Sequence, residues 1–201
     1  PLPYVTGRAG FRYLDLAVDS RVLIPRPETE GLVERALARA PTGIVADVGT
    51  GSGCIALSLA QEGRYARVIA IDSSSGALAV AAANAEATGL PIALMRADLL
   101  DAVGSGILDA IVSNPPYLSD AEYAELDGSV RDWEPAAALA SGPDGLDATL
   151  RLLWDGRRVL KPGAWLAVEL DCNRAAAVAA HATALGWSDV IVESDLYGRE
   201  R

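Results

Sequence analysis

The chain is poor in the residues that build metal sites, disulfide frameworks and basic grooves. It has two cysteines, Cys54 and Cys172, and a single histidine, His181. The cysteines lie far apart and show neither the paired spacing of a zinc site nor the density of a disulfide scaffold. Free, buried thiols are the expectation, which suits a reducing, cytoplasmic compartment. His181 sits among alanines with no nucleophile or metal-ligand partner at useful spacing, and is read as a surface or packing residue. Lys161 is the only lysine, and 27 acidic residues against 17 basic ones give a formal net charge of −10. Proteins bind phosphate backbones by neutralising them with Lys and Arg, so this balance argues against a nucleic-acid substrate. Uneven charge placement keeps the argument short of exclusion.

Long hydrophobic runs are missing as well. No apolar stretch approaches the ~20 residues of a membrane-spanning helix, so no membrane partner is expected. Pro1 to Gly10 has no basic segment leading into an apolar one, so no signal peptide is expected. The chain opens on Pro1-Leu2-Pro3-Tyr4 without an initiator Met, and a truncated or processed chain is the expectation. Repeats and low-complexity linkers are also missing.

What is present suffices for one large core: 201 residues, 51% of them hydrophobic. Phe11 to Ile24 alternates apolar and polar residues around Asp19-Ser20, which predicts a β-hairpin. Pro27-Glu28-Thr29-Glu30 reads as a helix start, with proline in the first turn and acids near the positive end of the dipole. Short apolar strands then alternate with helices. Strands are predicted at Ile44–Val48, Val68–Ile71, Ile92–Ala97, Leu108–Val112, Ala164–Leu170 and Val190–Glu193. Helices are predicted at Cys54–Gln61, Gly76–Thr88, Thr149–Val159 and Asn173–Leu185. This alternation specifies an α/β fold with a mostly parallel central sheet covered on both faces. Residues 1–26 are assigned as an N-terminal hairpin and connector, and 27–201 as the α/β domain. Ligands in such folds bind beyond the carboxyl ends of the strands, and the informative residues fall there.

The first strand runs into Asp47-Val48-Gly49-Thr50-Gly51-Ser52-Gly53. Glycines admit positive φ and close approach of a ligand, and the following helix begins with free N–H groups. A tight turn without ligand is the plain alternative. Asp72 ends the second strand and can accept both hydroxyls of a ribose, or simply cap the next helix. Asp98, with Leu99 beside it, ends the third strand and can accept a hydrogen bond from an exocyclic amine, or serve as a loop carboxylate. Together these strand ends suggest an adenosine ligand. They do not choose between NAD and S-adenosylmethionine.

The fourth strand chooses. It leads into Asn114-Pro115-Pro116-Tyr117. Successive prolines fix φ and donate no hydrogen bonds, so the loop presents acceptors, the Asn114 side-chain oxygen and the Pro115 carbonyl. Two acceptors match the two N–H donors of a planar –NH₂ group and favour positive charge on its nitrogen as it attacks a methyl carbon. Tyr117 can pack its ring against the planar group. A Pro-rich turn is the alternative reading. Asp120, Glu122, Glu125 and Asp127 follow as a solvated helix face, or as a contact for a basic substrate protein.

Asp-x-Gly-x-Gly-x-Gly followed by Asn-Pro-Pro-Tyr resembles the class I, Rossmann-like S-adenosylmethionine-dependent methyltransferases that act on amide or amino nitrogens. Two groups share the second motif, the adenine-N6 methyltransferases of nucleic acids and the glutamine methyltransferases of peptide release factors. The rest of the chain is similar to the latter, the HemK/PrmC family. The matching stretches are Pro3-Tyr4-Val5-Thr6-Gly7, Leu23-Ile24-Pro25-Arg26-Pro27-Glu28-Thr29-Glu30, Val112 to Tyr117, Trp133-Glu134-Pro135 with Ala138-Leu139, and Gly142-Pro143-Asp144-Gly145-Leu146-Asp147. They run in family order across nearly the whole chain.

The resemblance implies methyl transfer from S-adenosylmethionine to the glutamine of a release factor's Gly-Gly-Gln loop. It implies that Gly49, Thr50, Gly51, Ser52, Gly53, Asp72, Asp98 and Leu99 hold the cofactor, with Asn114 touching it. It implies that Asn114, Pro115, Pro116 and Tyr117 hold the substrate amide, and that Ile24 to Glu30 lie over the cofactor side of the pocket. The family also carries an N-terminal helical domain, and this chain begins about where the connecting hairpin begins. After the fifth strand the family usually reads Glu-x-Gly-x-x-Gln, whereas this chain reads Glu169-Leu170-Asp171-Cys172-Asn173-Arg174. A final antiparallel strand would follow Tyr197-Gly198-Arg199. A non-catalytic module that binds S-adenosylmethionine is the rival from another functional class.

Overall fold

The computed structural model describes residues 1–39, 42–194 and 198. A short helix α1 (Leu2–Thr6) leads through Gly7 into an antiparallel hairpin of β1 (Arg8–Phe11) and β2 (Leu14–Ala17). Helix α2 (Pro27–Ala38) then precedes the sheet: β3 (Ile44–Val48), α3 (Cys54–Glu62), β4 (Arg67–Asp72), α4 (Ser75–Thr88), β5 (Ala93–Arg96) and β6 (Leu108–Ser113). The second half holds α5 (Asp120–Glu125), α6 (Gly128–Arg131), α7 (Asp147–Val159), β7 (Leu160–Val168) and α8 (Ala175–Ala184).

Local chemistry explains where these elements start and stop. Pro27 opens α2 with Glu28 and Glu30 in its first turn and Arg35 in its last, each sign matched to the helix dipole. Ser74 caps α4 by accepting the N–H of Ala77, and Gly89 ends it in the left-handed conformation. Helix α7 buries Thr149, Leu152, Leu153, Gly156 and Val159, a single stripe at helical spacing.

The sheet is parallel throughout, in the order β5-β4-β3-β6-β7. Alternate residues of each strand face opposite layers. Val45, Val68, Ala70, Ala110 and Val112 pack with α2, α3 and hairpin residues Phe11, Leu14 and Leu16. Ala46, Val48, Ile69, Ile71 and Ile111 pack on the other face with Leu100, Leu152 and Val159. Both faces are covered, as the near-continuous apolar strands predict.

Three expectations need correction. The hairpin turns at Arg12-Tyr13, not at Asp19-Ser20. There Asp19 instead accepts the N–H and the guanidinium of Arg21 in a local turn, and Val18 and Val22 bury against α4 without forming a strand. The fifth sheet strand starts at Leu160 rather than Ala164. Val190–Glu193 forms no strand; Val190, Ile191 and Val192 stay partly to largely exposed, without a ladder partner among the described residues. The expected last strand after Tyr197 lies outside the described residues, apart from Gly198.

Candidate active site

The order of the sheet brings the informative loops together. The chain leaves β3 toward β4 on one side and returns to β6 on the other, so β3 and β6 meet at a topological switch point. Val48, the last residue of β3, pairs in register with Ser113, the last of β6, and with Ile71 of β4. The hydroxyl of Ser113 donates to the carbonyl of Val48 at 2.6 Å. Gly49 and Asn114 therefore leave neighbouring strands side by side, about one strand spacing of ~4.8 Å apart.

The glycine turn is held from several directions. The N–H groups of Gly49 and Thr50 both donate to the carbonyl of Ile71, and that of Gly53 donates to Thr50. Asp47 lies beneath, wholly buried; its Oδ2 accepts the Thr50 hydroxyl at 2.6 Å and the N–H of Ala56 at 3.0 Å. Burial pushes the Asp47 carboxyl up to about 7 against these two bonds, with the nearby Asp72 charge adding to the rise. Gly49 and Gly51 have positive φ, and a Cβ on either would meet nothing within 4 Å. Packing does not demand glycine there; the open space over the turn is what a closely approaching ligand would use.

Asp72 follows at the end of β4. Its Oδ2 accepts the N–H of Gly51 and its Oδ1 that of Ser74, each at 2.9 Å. The capping role falls to Ser74, not Asp72. A carboxylate has about four acceptor positions, so both oxygens retain capacity for hydroxyl donors. Asp98 does follow β5, but its carboxylate is at the surface, where Arg151 donates to it at 3.0 Å. Leu99 beside it holds a left-handed backbone with φ 50, uncommon for a branched residue. Strain of this kind clusters at ligand sites.

Beyond β6 the loop is rigid, and its flanks are braced. Pro115 is buried, and Asn114, Pro116 and Tyr117 are half-buried. The Nδ2 of Asn114 donates to the Oγ1 of Thr29 at 3.0 Å, and Thr29 is itself 2% exposed in the first turn of α2. The side-chain oxygen of Asn114 is thereby left for another donor. Leu118 exchanges backbone bonds with Leu139 and Ser141, and Asp120 donates to Gly142. Gly145 sits directly behind Tyr117: a Cβ there would lie 2.3 Å from the Tyr117 carbonyl oxygen. Arg174, buried at the start of α8, donates to the carbonyl of Asp144 at 3.0 Å and pairs with Glu122 of α5. That pairing, with the Ser119 N–H and hydroxyl, holds the Glu122 carboxyl down to about 2. Arg26 donates to the buried carboxylate of Glu134 at 2.7 Å, which ties the approach to α2 to the segment after α6.

The sequence singled out the two loops and Asp72, and the structure brings them together. Arg26 and Thr29 entered only within the stretch expected over the pocket and Glu134 and Gly145 only as letters in matching stretches, and their contacts span up to 108 positions. No local spacing announces such pairs. A cavity of about 670 Å³ lies elsewhere, along β7 between α2 and α8, and of the residues expected at the site only Glu28, from the stretch Ile24 to Glu30, lines it. Cys54 is half-buried, with its thiol pushed up to about 12 chiefly by burial. Cys172 is exposed, against the expectation that both thiols are buried. His181 is at the surface, as expected. No helix among the described residues is long and apolar enough to cross a membrane.

Comparison with known proteins gives a consistent picture. Residues 28–127 match the methyltransferase small domain family. A release factor glutamine methyltransferase of Geobacter sulfurreducens is 42% identical over 202 residues, covering 100% of this chain and 71% of the relative. The enzyme of the same name from Xylella fastidiosa strain 9a5c is 45% identical over 206 residues, covering 100% and 74%. Among solved structures, a ribosomal protein L11 methylase from Lactobacillus delbrueckii subsp. bulgaricus superposes with a TM-score of 0.63 at 21% identity, covering 86% of this chain and 75% of that one. A methyltransferase from Pyrococcus furiosus gives 0.60 at 18% identity, covering 87% and 79%. At these identities the two structures establish the fold, an α/β methyltransferase architecture.

Proposed function

The chain belongs to the release factor glutamine methyltransferase family, and from that membership we propose that it transfers a methyl group from S-adenosylmethionine to the side-chain amide nitrogen (N5) of the glutamine in the Gly-Gly-Gln motif of a peptide chain release factor. The observation that carries the reading is the register of Val48 with Ser113. It sets a glycine turn suited to the cofactor beside an acceptor loop suited to a planar amide. In this reading 27–201 form the catalytic domain, 1–26 the connector, and the compartment is cytoplasmic.

The residues present fit the cofactor. Gly49 and Gly51 offer positive φ under open space, and Asp72 keeps acceptor capacity for a ribose beside them. Thr50, Ser52 and Gly53 complete the turn, Asn114 leaves the strand beside it, and Asp98-Leu99 follow β5 two strands away. When bound, S-adenosylmethionine supplies a methyl carbon made electrophilic by its sulfonium. The protein's part is to hold the other reactant. Oδ1 of Asn114 and the carbonyl of Pro115 accept the two amide N–H groups. Pro116 keeps the loop stiff, and the ring of Tyr117 packs against the amide plane. As the nitrogen lone pair turns from its own carbonyl to the methyl carbon, positive charge grows on the nitrogen and both acceptors bind its N–H groups more tightly. The nitrogen gains the methyl as the bond from that carbon to the sulfonium sulfur breaks, its electron pair staying on sulfur, and loses to solvent one proton, which becomes acidic on alkylation, so no strong base is needed. Holding both reactants in line supplies much of the remaining acceleration.

Transfer from labelled S-adenosylmethionine to an unmethylated release factor, with DNA as a parallel substrate, tests the reading. Label is expected on the Gly-Gly-Gln glutamine. Asn114→Ala should lower turnover by about 10²-fold or more while cofactor binding holds. Near wild-type turnover would sink the assigned role of Asn114. Label on adenine would make the chain a nucleic-acid enzyme.

A further inference from the structure

One buried side chain joins the N-terminal hairpin to the glycine turn. Asn84 lies on α4 and is 2% exposed. Its Oδ1 accepts the N–H of Ala17 on β2 at 2.7 Å, and its Nδ2 donates to the carbonyls of Ala17 at 3.0 Å and Ser52 at 2.9 Å. All three partners are backbone groups whose donor or acceptor character is fixed. The amide therefore has one orientation; the reverse would set N–H against N–H and oxygen against two carbonyls.

The two ends of this bridge do different things. On the outer edge of β2, Asn84 stands in for a neighbouring strand over one residue, satisfying both backbone groups of Ala17. At the turn it fixes the peptide between Ser52 and Gly53 from the carbonyl side, while the N–H of that peptide donates to Thr50 at 2.8 Å. Ala81, one turn earlier on the same helix, sets the spacing: a Cβ on Gly53 would come within 3.3 Å of the Ala81 methyl. The tip of the hairpin is anchored separately, by Arg12 donating twice to Glu62 of α3 at 2.7 Å. Of the polar ties between the hairpin and the α/β core, those of Arg12 lead to α2 and α3, and the one through Asn84 leads straight to the turn.

We propose that Asn84 is a positioning residue for cofactor binding, and that it makes the hairpin and the glycine turn order together. This rests on Gly49 to Gly53 being the cofactor cradle. Displacing β2 removes two of the three partners that hold the amide, and the Ser52 carbonyl then loses a fixed donor. Cofactor in the turn, in the other direction, firms Ser52 and through Asn84 the edge of β2.

Two measurements on the chain test this. In the wild type, hydrogen exchange is followed with and without S-adenosylhomocysteine. Slower exchange on binding is expected at the glycine turn and also at the Ala17 amide. Protection of the turn with unchanged exchange at Ala17 would overturn the coupling. Titration calorimetry with the same ligand then compares Asn84→Ala with Val80→Ala, which trims a buried contact between α4 and Val18 and Val22 but leaves the amide bridge. Asn84→Ala should weaken binding about tenfold, the scale of a lost buried hydrogen bond or two, and Val80→Ala by less than about twofold. Equal weakening by both variants, or wild-type affinity in Asn84→Ala, would refute the positioning role. A wild type that binds S-adenosylhomocysteine without any protection of Gly49 to Gly53 would instead remove the cofactor reading on which the proposal stands.

Discussion

Thr29→Val is the sharpest perturbation of the site, because it changes one hydrogen bond and almost no volume. The Thr29 hydroxyl accepts from Asn114 Nδ2 at 3.0 Å and is enclosed, with the residue 2% exposed. Valine puts a methyl in the same place and leaves that N–H without its partner. A neutral hydrogen bond of this kind contributes about 0.5–1.5 kcal/mol net. In the proposed mechanism the Asn114 oxygen, not its nitrogen, faces the substrate amide, so the orientation lost is one that mechanism requires. At about 1.4 kcal/mol per factor of ten, turnover on a release factor should fall roughly 2- to 12-fold. Affinity for S-adenosylhomocysteine should stay within about twofold, since the turn and Asp72 are held by other groups. Thr29→Ser, which keeps the hydroxyl, should recover most of the rate. Steady-state kinetics with release factor, alongside calorimetry for the ligand, separate the cases. Unchanged turnover in Thr29→Val would refute the orienting role, as would a loss confined to ligand affinity.

Two further outcomes follow from the support behind Tyr117. The Glu122 carboxyl is held at about 2, below its ordinary 4.5, first by Arg174 and then by Ser119. A depressed carboxyl stabilises the fold fully above about 4.5 and loses that contribution as pH falls toward about 2. The side chain is 43% exposed, so solvent damps the effect. Thermal midpoints of wild type and Arg174→Gln should differ at neutral pH and converge below about 4.5; a gap that ignores pH would exclude the ion pair as its source. Gly145→Ala forces a Cβ to 2.3 Å from the Tyr117 carbonyl oxygen at φ 76, whereas Gly106→Ala at φ 64 meets nothing within 4 Å. The second should cost only the ~1–2 kcal/mol of left-handed backbone, the first clearly more in melting temperature and in turnover. Equal costs would mean that the Tyr117 loop yields freely.

Much of the fold was legible because parallel strands announce themselves as short apolar runs between helices. Ile44–Val48 is a strand over the residues the pattern predicts. The hairpin was misplaced for a physical reason. Its true turn, Arg12-Tyr13, carries no glycine or asparagine. Arg12 takes φ 50 and is held there by distant partners: its N–H donates to Glu30 at 3.0 Å and its guanidinium to Glu62. Asp19-Ser20 had the local signature of a turn and does turn, but the chain beyond it packs on α4 instead of pairing. Val190–Glu193 shows the converse limit. An apolar run beside an edge does not by itself join the sheet: Val190, Ile191 and Val192 line the cavity along β7 without strand conformation.

The site was legible in its loops and not in its supports. A glycine turn and an Asn-Pro-Pro-Tyr loop are contiguous signals; Thr29 with Asn114, or Asn84 with Ser52, exist only once the chain is folded. Arg174 is the instructive case. It stands where the family usually has glutamine, three residues after Asp171, which stands where the family usually has glycine. In the fold its guanidinium reaches three segments, pairing with Glu122 and with Asp171 at 3.5 Å and donating to the Asp144 carbonyl. Asp171, the departure at the glycine position, is therefore one of its partners, so the two changes act together. A Cβ on Gly145 would meet both the Tyr117 carbonyl and Nε of Arg174, at 2.3 and 2.7 Å. Tyr117, Gly145 and Arg174 thus form a stack in which the Asn114–Tyr117 loop rests on a glycine and the glycine on a guanidinium. The pair that departs from the family pattern occupies the position from which the Asn114–Tyr117 loop is held.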